Sequence, residues 1–220
     1  MPVLAIDTTT PHGSVALAEE ETVLGEVRFR AADGHSAHLL PAADFLLKAL
    51  GVSPVRLDGC AVTIGPGSFT GLRVGLSTAQ GLALAAGVPC LGVSALDVLA
   101  QRIAGSADTL VAMIDAYRGE VYAAVYERDG RIRTGPVLVA PERLLEGLPA
   151  EAAFVGDGVL KHSERIRAAR PRAVLPARSL YLAGTLARMA VARFSAGEGI
   201  PPAALRPLYL RSPDIRGSTA

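Results

Sequence analysis

Tryptophan is absent from this chain, and aromatic residues make up only 5% of it. A core built without large rings must rely on closely packed aliphatic side chains and alanine, and half of the 220 residues are hydrophobic. There are two cysteines, Cys60 and Cys90, each inside an apolar run. Two are too few for a disulfide framework or a structural zinc, so both read as small buried hydrophobes. No apolar run reaches the roughly 18 residues that a membrane span needs. The N-terminus has no basic segment ahead of an apolar one. The expectation is a cytoplasmic protein with no membrane partner. Excess charge is lacking too: the formal net charge is +1. Nucleic-acid binding by this chain alone is therefore not expected. A local cluster, Arg165, Arg167, Arg170 and Arg172, reads as a solvated helix face.

Several catalytic signatures are missing as well. Gly65-Pro-Gly-Ser-Phe-Thr-Gly71 has no lysine followed by Ser or Thr, so it is not a phosphate-binding P-loop. There is no Gly-x-Ser-x-Gly elbow and no His-Glu-x-x-His. His35 and His38, at i and i+3, have no third ligand close by, so no metal site is expected.

The patterning that remains is orderly. Short alternating apolar runs predict strands at 3–6, 14–18 and 23–29, then a helix over 37–50. A strand at 59–64, a glycine-broken helix, a strand at 88–93 and a helix over 95–103 follow. The order then restarts. Strands are predicted at 110–114, 121–126 and 132–139, and a short helix after Pro141. A strand at 153–155, a helix over 159–168, a strand at 173–175 and a helix over 180–194 complete it. Both halves thus read βββαβαβα, divided as 1–104 and 105–220. This is the plan of the α/β actin-like fold, shared by sugar kinases and Hsp70-type ATPases. The proline- and arginine-rich tail, 201–220, reads as an extended segment that crosses back to the first half.

The glycine-broken helix carries two faces. Phe69, Leu72, Leu76, Ala79 and Ala83 recur at helical spacing and suit the chain's own core. Gly71, Gly75, Thr78 and Ala85 form a second strip. Each glycine within a helix costs about 1 kcal/mol against alanine. Close approach of another backbone offsets that cost, and the expected neighbour is a partner helix or a tightly packed element.

At the first hairpin, Asp7, Thr8 and Thr9 are nucleotide candidates, because a hairpin of this plan can hold phosphate with its amides and hydroxyls. The same residues suit capping of a tight turn. The matching second hairpin, Asp115-Ala-Tyr-Arg118, places bulky Tyr117 and Arg118 where a phosphate would need small residues. Gly156-Asp-Gly158 is only a fragment of an adenosine loop. The structural reading of Asp7 is therefore preferred, with an autonomous ATPase or kinase as the alternative.

Asp7-Thr-Thr-Thr10, His35-Ser-x-x-Leu39-Leu-Pro41, Gly65-Pro-Gly-Ser-Phe-Thr-Gly-Leu-Arg-Val-Gly75, Asp115-Ala-Tyr-Arg-Gly-Glu-Val-Tyr122 and Pro207-Leu-Tyr-Leu-Arg211 together resemble the TsaB family, also called YeaZ. The resemblance implies an accessory, non-catalytic subunit in the synthesis of threonylcarbamoyladenosine on tRNA. It implies pairing with a catalytic paralogue, TsaD, and a complex joined by the ATPase TsaE. ATP and metal would sit on those partners, with no cofactor held by this chain. The chain would contact tRNA only through the complex and form a homodimer when alone. The family was once labelled a glycoprotease, and the lack of a hydrolytic constellation argues against that activity here. The implied association surface is the first half's helix pair. Its residues here are Leu39, Leu40, Ala43, Leu46 and Leu47, then Phe69, Gly71, Leu72, Gly75, Thr78 and Ala79.

Overall fold

The computed structural model describes residues 1–31 and 34–211. Strands β1 (Pro2–Asp7), β2 (His12–Glu19) and β3 (Thr22–Arg30) form an antiparallel meander. Helix α1 (Ser36–Ala49) leads to β4 (Gly59–Gly65), then α2 (Phe69–Ala86), β5 (Cys90–Ser94) and α3 (Ala95–Gln101). β4 pairs in parallel with β1 and with β5, giving the sheet order β3-β2-β1-β4-β5.

The second half repeats this. β6 (Thr109–Asp115), β7 (Val121–Glu127), β8 (Ile132–Val139) and β9 (Ala153–Val155) lie in the order β8-β7-β6-β9. Helix α4 (Pro141–Glu146) precedes β9, and α5 (Asp157–Lys161), α6 (Ser163–Ala169) and α7 (Ala183–Ser195) follow it. Two details depart from the sequence reading. The segment 173–175 meets β9 through a single bridge, Ala153 to Val174, and forms no strand. Pro171 and Pro176 bracket it, and proline cannot donate to a ladder. The helix expected over 159–168 is broken in two at His162, whose backbone leaves the helical region.

Alternation along the strands sorts the core. Leu4, Ile6, Val15, Leu17, Cys60 and Val62 face α1 and α2. Val3, Ala5, Ala16, Ala18 and Ala61 face the other way. What covers that second face is α7, which comes from the second half of the chain, while α3 from the first half packs on β6 and β7. The two halves therefore exchange their last helices, and one apolar layer runs between the two sheets. A division at 104/105 separates the strands but not these helices.

The tail crosses back over the first half. Ile200 and Cys90 exchange backbone hydrogen bonds, the Leu208 amide donates to the Ile64 carbonyl at 2.7 Å, and Gln80 Nε2 donates to the Pro202 carbonyl at 2.9 Å. Arg211 then donates to the Ala116 carbonyl at 2.7 Å, joining the tail to the second hairpin. The remainder of the tail lies outside the described residues.

Candidate association surface and the closed first hairpin

Asp7, Thr8 and Thr9 end β1 and turn toward α2, and all three are buried. Asp7 Oδ1 accepts from the Thr9 hydroxyl (2.7 Å), the Thr63 hydroxyl (2.7 Å) and the Thr9 amide (3.2 Å). Its Oδ2 is buried without a partner. Burial pushes the carboxyl above its ordinary range, and the three hydrogen bonds act against that rise. The Thr8 hydroxyl donates to the Gly71 carbonyl at 2.8 Å, and the Thr9 carbonyl accepts from the Ser68 amide at 2.7 Å. The Thr8 hydroxyl is thus spent on the start of α2, and the Thr9 hydroxyl and amide are spent on Asp7.

This geometry gives Asp7 a structural part with a testable sign. Asp7→Asn keeps an acceptor for the three bonds and removes the buried charge. The raised folded-state value means that wild-type stability gained from protonation is full below the unfolded value and is lost as pH rises. Asp7→Asn is therefore expected to be at least as stable as wild type at pH 7, with an advantage that shrinks toward pH 4. Urea midpoints at both pH values check this. A large loss of stability at pH 7 would contradict it.

The same contacts correct the reading of the glycine strip. A methyl group at Gly75 would overlap Thr8 Oγ1, and one at Gly71 would overlap the Thr8 carbonyl. Both glycines face the chain's own first hairpin, not a partner. The gain that offsets them is α2 lying directly on β1 and its turn. Ser68 caps the helix, its hydroxyl accepting from the Gly71 amide at 3.2 Å. Gly87 ends it in the left-handed region.

Other expected interface residues are placed differently too. Leu39, Ala43, Leu46, Leu47 and Ala79 are each no more than 4% exposed and fill the layer between the helices and the sheet, and Leu72 is buried as well. A side chain already enclosed by its own core has little surface left to offer. Phe69 is no core residue either. It is partly buried, stacked against Tyr209 at 5.0 Å with the Arg73 guanidinium 3.8 Å over its ring. Leu40 and Thr78 do reach the surface.

The outward face carries residues that the pattern reading passed over. Phe45 is 65% exposed and Leu84 76%, alongside the expected Leu40 at 54%. Phe45 lies off the 39-43-46-47 row, and a large apolar side chain on the polar side of an amphipathic helix is the signal that could have found it. Gly81 lies off the core row of α2, and a methyl group there would meet nothing within 4 Å. It is the one α2 glycine with no intramolecular neighbour to explain it. Between α1 and α2 runs a mainly apolar groove of about 680 Å³, lined by Leu40, Pro41, Leu47, Val52, Pro54 and Leu82.

At the second hairpin, Tyr117 and Arg118 adopt positive φ. Asp115 is engaged by Lys161 at 2.8 Å, and its amide donates to Asp157 Oδ1 at 3.1 Å. Burial, aided by the charge of Asp115, pushes Asp157 up to about 6. Gly156 packs so closely on the Met113 carbonyl that a methyl group would overlap it. The Gly-x-Gly fragment serves the packing of α5 on β6. His35 is buried at the start of α1, edge-on to Phe29, whereas His38 is exposed. No group of three or more metal-binding side chains occurs among the described residues. No helix among them is long and apolar enough to cross a membrane.

Comparison with known proteins gives this surface a context. The sequence model of the family described as TsaD, tRNA N6-adenosine threonylcarbamoyltransferase, matches residues 25–194. The tRNA threonylcarbamoyladenosine biosynthesis protein TsaB of Haemophilus influenzae is 34% identical over 181 residues, covering 74% of this chain and 75% of that protein. TsaB of Escherichia coli is 43% identical over 131 residues, covering 59% of this chain, and the chain spans 56% of that relative's length. YeaZ from Pseudomonas aeruginosa superposes with a TM-score of 0.82 at 33% identity, covering 95% of this chain and 99% of that one. A ROK hexokinase from Thermus thermophilus, 14% identical, superposes with a TM-score of 0.51 over 89% of this chain and 100% of its own, a likeness of fold alone. The fold is thus the actin-like one, and by sequence and structure together the chain belongs to the TsaB/YeaZ family.

Proposed function

We propose that this chain is a non-catalytic, partner-binding subunit in the synthesis of threonylcarbamoyladenosine on tRNA. It pairs with a TsaD-type catalytic paralogue through the outward faces of α1 and α2. The observation that carries this reading is the exposure of Phe45, Leu84 and Leu40 on those helices, beside a glycine, Gly81, that no intramolecular neighbour requires. Large apolar side chains left exposed on two neighbouring helices support a protein interface. The names of the relatives supply the pathway, and the TsaD family match supports a paralogue of similar fold.

In this reading the same face forms a homodimer when the partner is missing, so the two associations compete. A TsaE-type ATPase joins the complex, and nucleotide and metal are held by the partners. The setting is the cytoplasm. An autonomous ATPase is disfavoured by the first hairpin, whose Asp7, Thr8 and Thr9 are enclosed beneath α2.

Reconstitution tests the proposal. The purified chain alone is expected to leave tRNA unmodified and ATP unhydrolysed. Adding the TsaD-type paralogue, the TsaE-type ATPase and a threonylcarbamoyl-adenylate source is expected to start modification. Omitting this chain is expected to stop it. Robust turnover by the isolated chain, or full modification without it, would overturn the reading.

A further inference from the structure

Five arginines from four segments of the chain gather where β3 meets the start of α7. Glu26, Arg28 and Arg30 alternate along one face of β3. The Gly184 amide donates to Glu26 Oε1 at 3.1 Å, which sets the first turn of α7 against that face. Arg188 is one turn further along the same side of α7. Tyr181, just before α7, lies under the Arg28 guanidinium at 5.5 Å, and its carbonyl accepts from Arg102. His12 meets the Tyr181 ring edge-on at 5.4 Å and stands opposite Arg30 in the strand pairing. Arg178 is three residues before Tyr181. Burial lowers Arg102 from its ordinary value, and Arg28, Arg178 and Arg188 lower it further, with Glu26 acting against them.

The cluster is not neutralised from within. Glu26 is bound to Arg28 and to the Gly184 amide. Arg28, Arg30, Arg178 and Arg188 are exposed, and the last three make no ion pair with a described residue. In the 165–172 run three arginines are engaged, and Arg167 is exposed without an ion pair to a described residue. Arg165 pairs with Glu142, Arg172 pairs with Glu151, and Arg170 donates to carbonyls at the end of α4. With a net charge of only +1 for the whole chain, this concentration is a property of the fold, not of the composition.

We propose that this β3–α7 surface binds the phosphate backbone of RNA, with Arg30, Arg178 and Arg188 as the phosphate contacts. Guanidinium forks match phosphate oxygens, and the Tyr181 and His12 rings beside them suit a stacked base or ribose. An acidic protein is the less suitable occupant. Protein interfaces rest on an apolar centre, and the exposed large apolar side chains Leu40, Phe45 and Leu84 lie on α1 and α2. The identity of the RNA as tRNA rests on the functional reading above, but the surface does not depend on it.

The test uses the full chain and an unmodified tRNA transcript, titrated by fluorescence anisotropy at several salt concentrations. Arg178→Glu with Arg188→Glu is expected to weaken binding about tenfold or more and to reduce the slope of log K against log salt by about 2. Arg165→Glu with Arg172→Glu is the control and is expected to change neither. Thermal unfolding and sedimentation with the TsaD-type partner are expected to match wild type, which separates this proposal from the association reading. Equal tRNA binding by wild type and the Arg178/Arg188 variant would overturn it. So would binding of polyglutamate, but not tRNA, through the same arginines.

Discussion

Gly75→Arg is expected to leave little folded protein. The substituted Cβ would overlap Thr8 Oγ1 and lie 3.5 Å from Thr8 Cβ and 3.6 Å from Val62 Cγ2, in a fully packed layer. Overpacking of a core typically costs about 1–3 kcal/mol, and an unpaired buried guanidinium adds to that. The sum reaches the exceptional range, above about 4 kcal/mol, against a usual total of about 5–15 kcal/mol. Gly75→Ala isolates the steric part. Its cost should fall substantially when combined with Thr8→Ala, because the pair shares one contact and should be non-additive. Chemical denaturation of the four proteins measures the coupling. A folded, wild-type-stable Gly75→Arg would show that α2 does not rest on the first hairpin.

Gly81→Arg is expected to do the opposite: keep the fold and lose the partner. Open space surrounds the position. Gly81→Ala should raise stability by about 1 kcal/mol through helix propensity alone. The arginine variant should unfold no earlier than wild type, yet its charged side chain would stand in the association face. Phe45→Asp and Leu84→Asp act through the most exposed large apolar side chains of α1 and α2. Truncating an interface anchor costs about 2 kcal/mol or more, roughly thirtyfold in affinity. Sedimentation velocity, with and without the TsaD-type paralogue, should show both self-association and paralogue binding lost together. Normal pairing by all three variants would remove this face from the account.

The periodicities that specify elements were legible. Alternation placed the strands of both halves, and the Leu39-Ala43-Leu46-Leu47 row marked the buried side of α1. Which side of a helix serves a partner was not legible by the same means. A buried row and a docking row are both apolar, and both glycine-rich faces of α2 look alike in sequence. What distinguishes Gly75 from Gly81 is Thr8, about two-thirds of a hundred positions upstream and brought against α2 only by the β1–β4 pairing. The exchange of α3 and α7 between halves has the same origin, since helix order does not say which sheet a helix covers. Charge shows the reverse failure. Arg165 and Arg172 are near neighbours in sequence and each is paired with a glutamate in the fold, whereas the arginines of β3 and α7 are far apart in sequence and are brought to one surface by the Glu26–Gly184 contact. The reading of Asp7 as a turn-capping residue followed from its threonines alone, and Thr63, which completes its hydrogen bonds, is a contribution of β4.

Hydroxyl-radical footprinting of the chain, diluted until sedimentation shows a monomer and then in complex with its TsaD-type paralogue, tests the proposed surface at the level of single side chains. Phe45, Leu40 and Leu84 are exposed in the monomer and should be protected in the complex, while Leu160, 66% exposed on α5, should react equally in both and serve as the internal standard. Protection confined to the α1 and α2 faces is the expected result. Unchanged reactivity at Phe45 and Leu84 in a stoichiometric complex would contradict it.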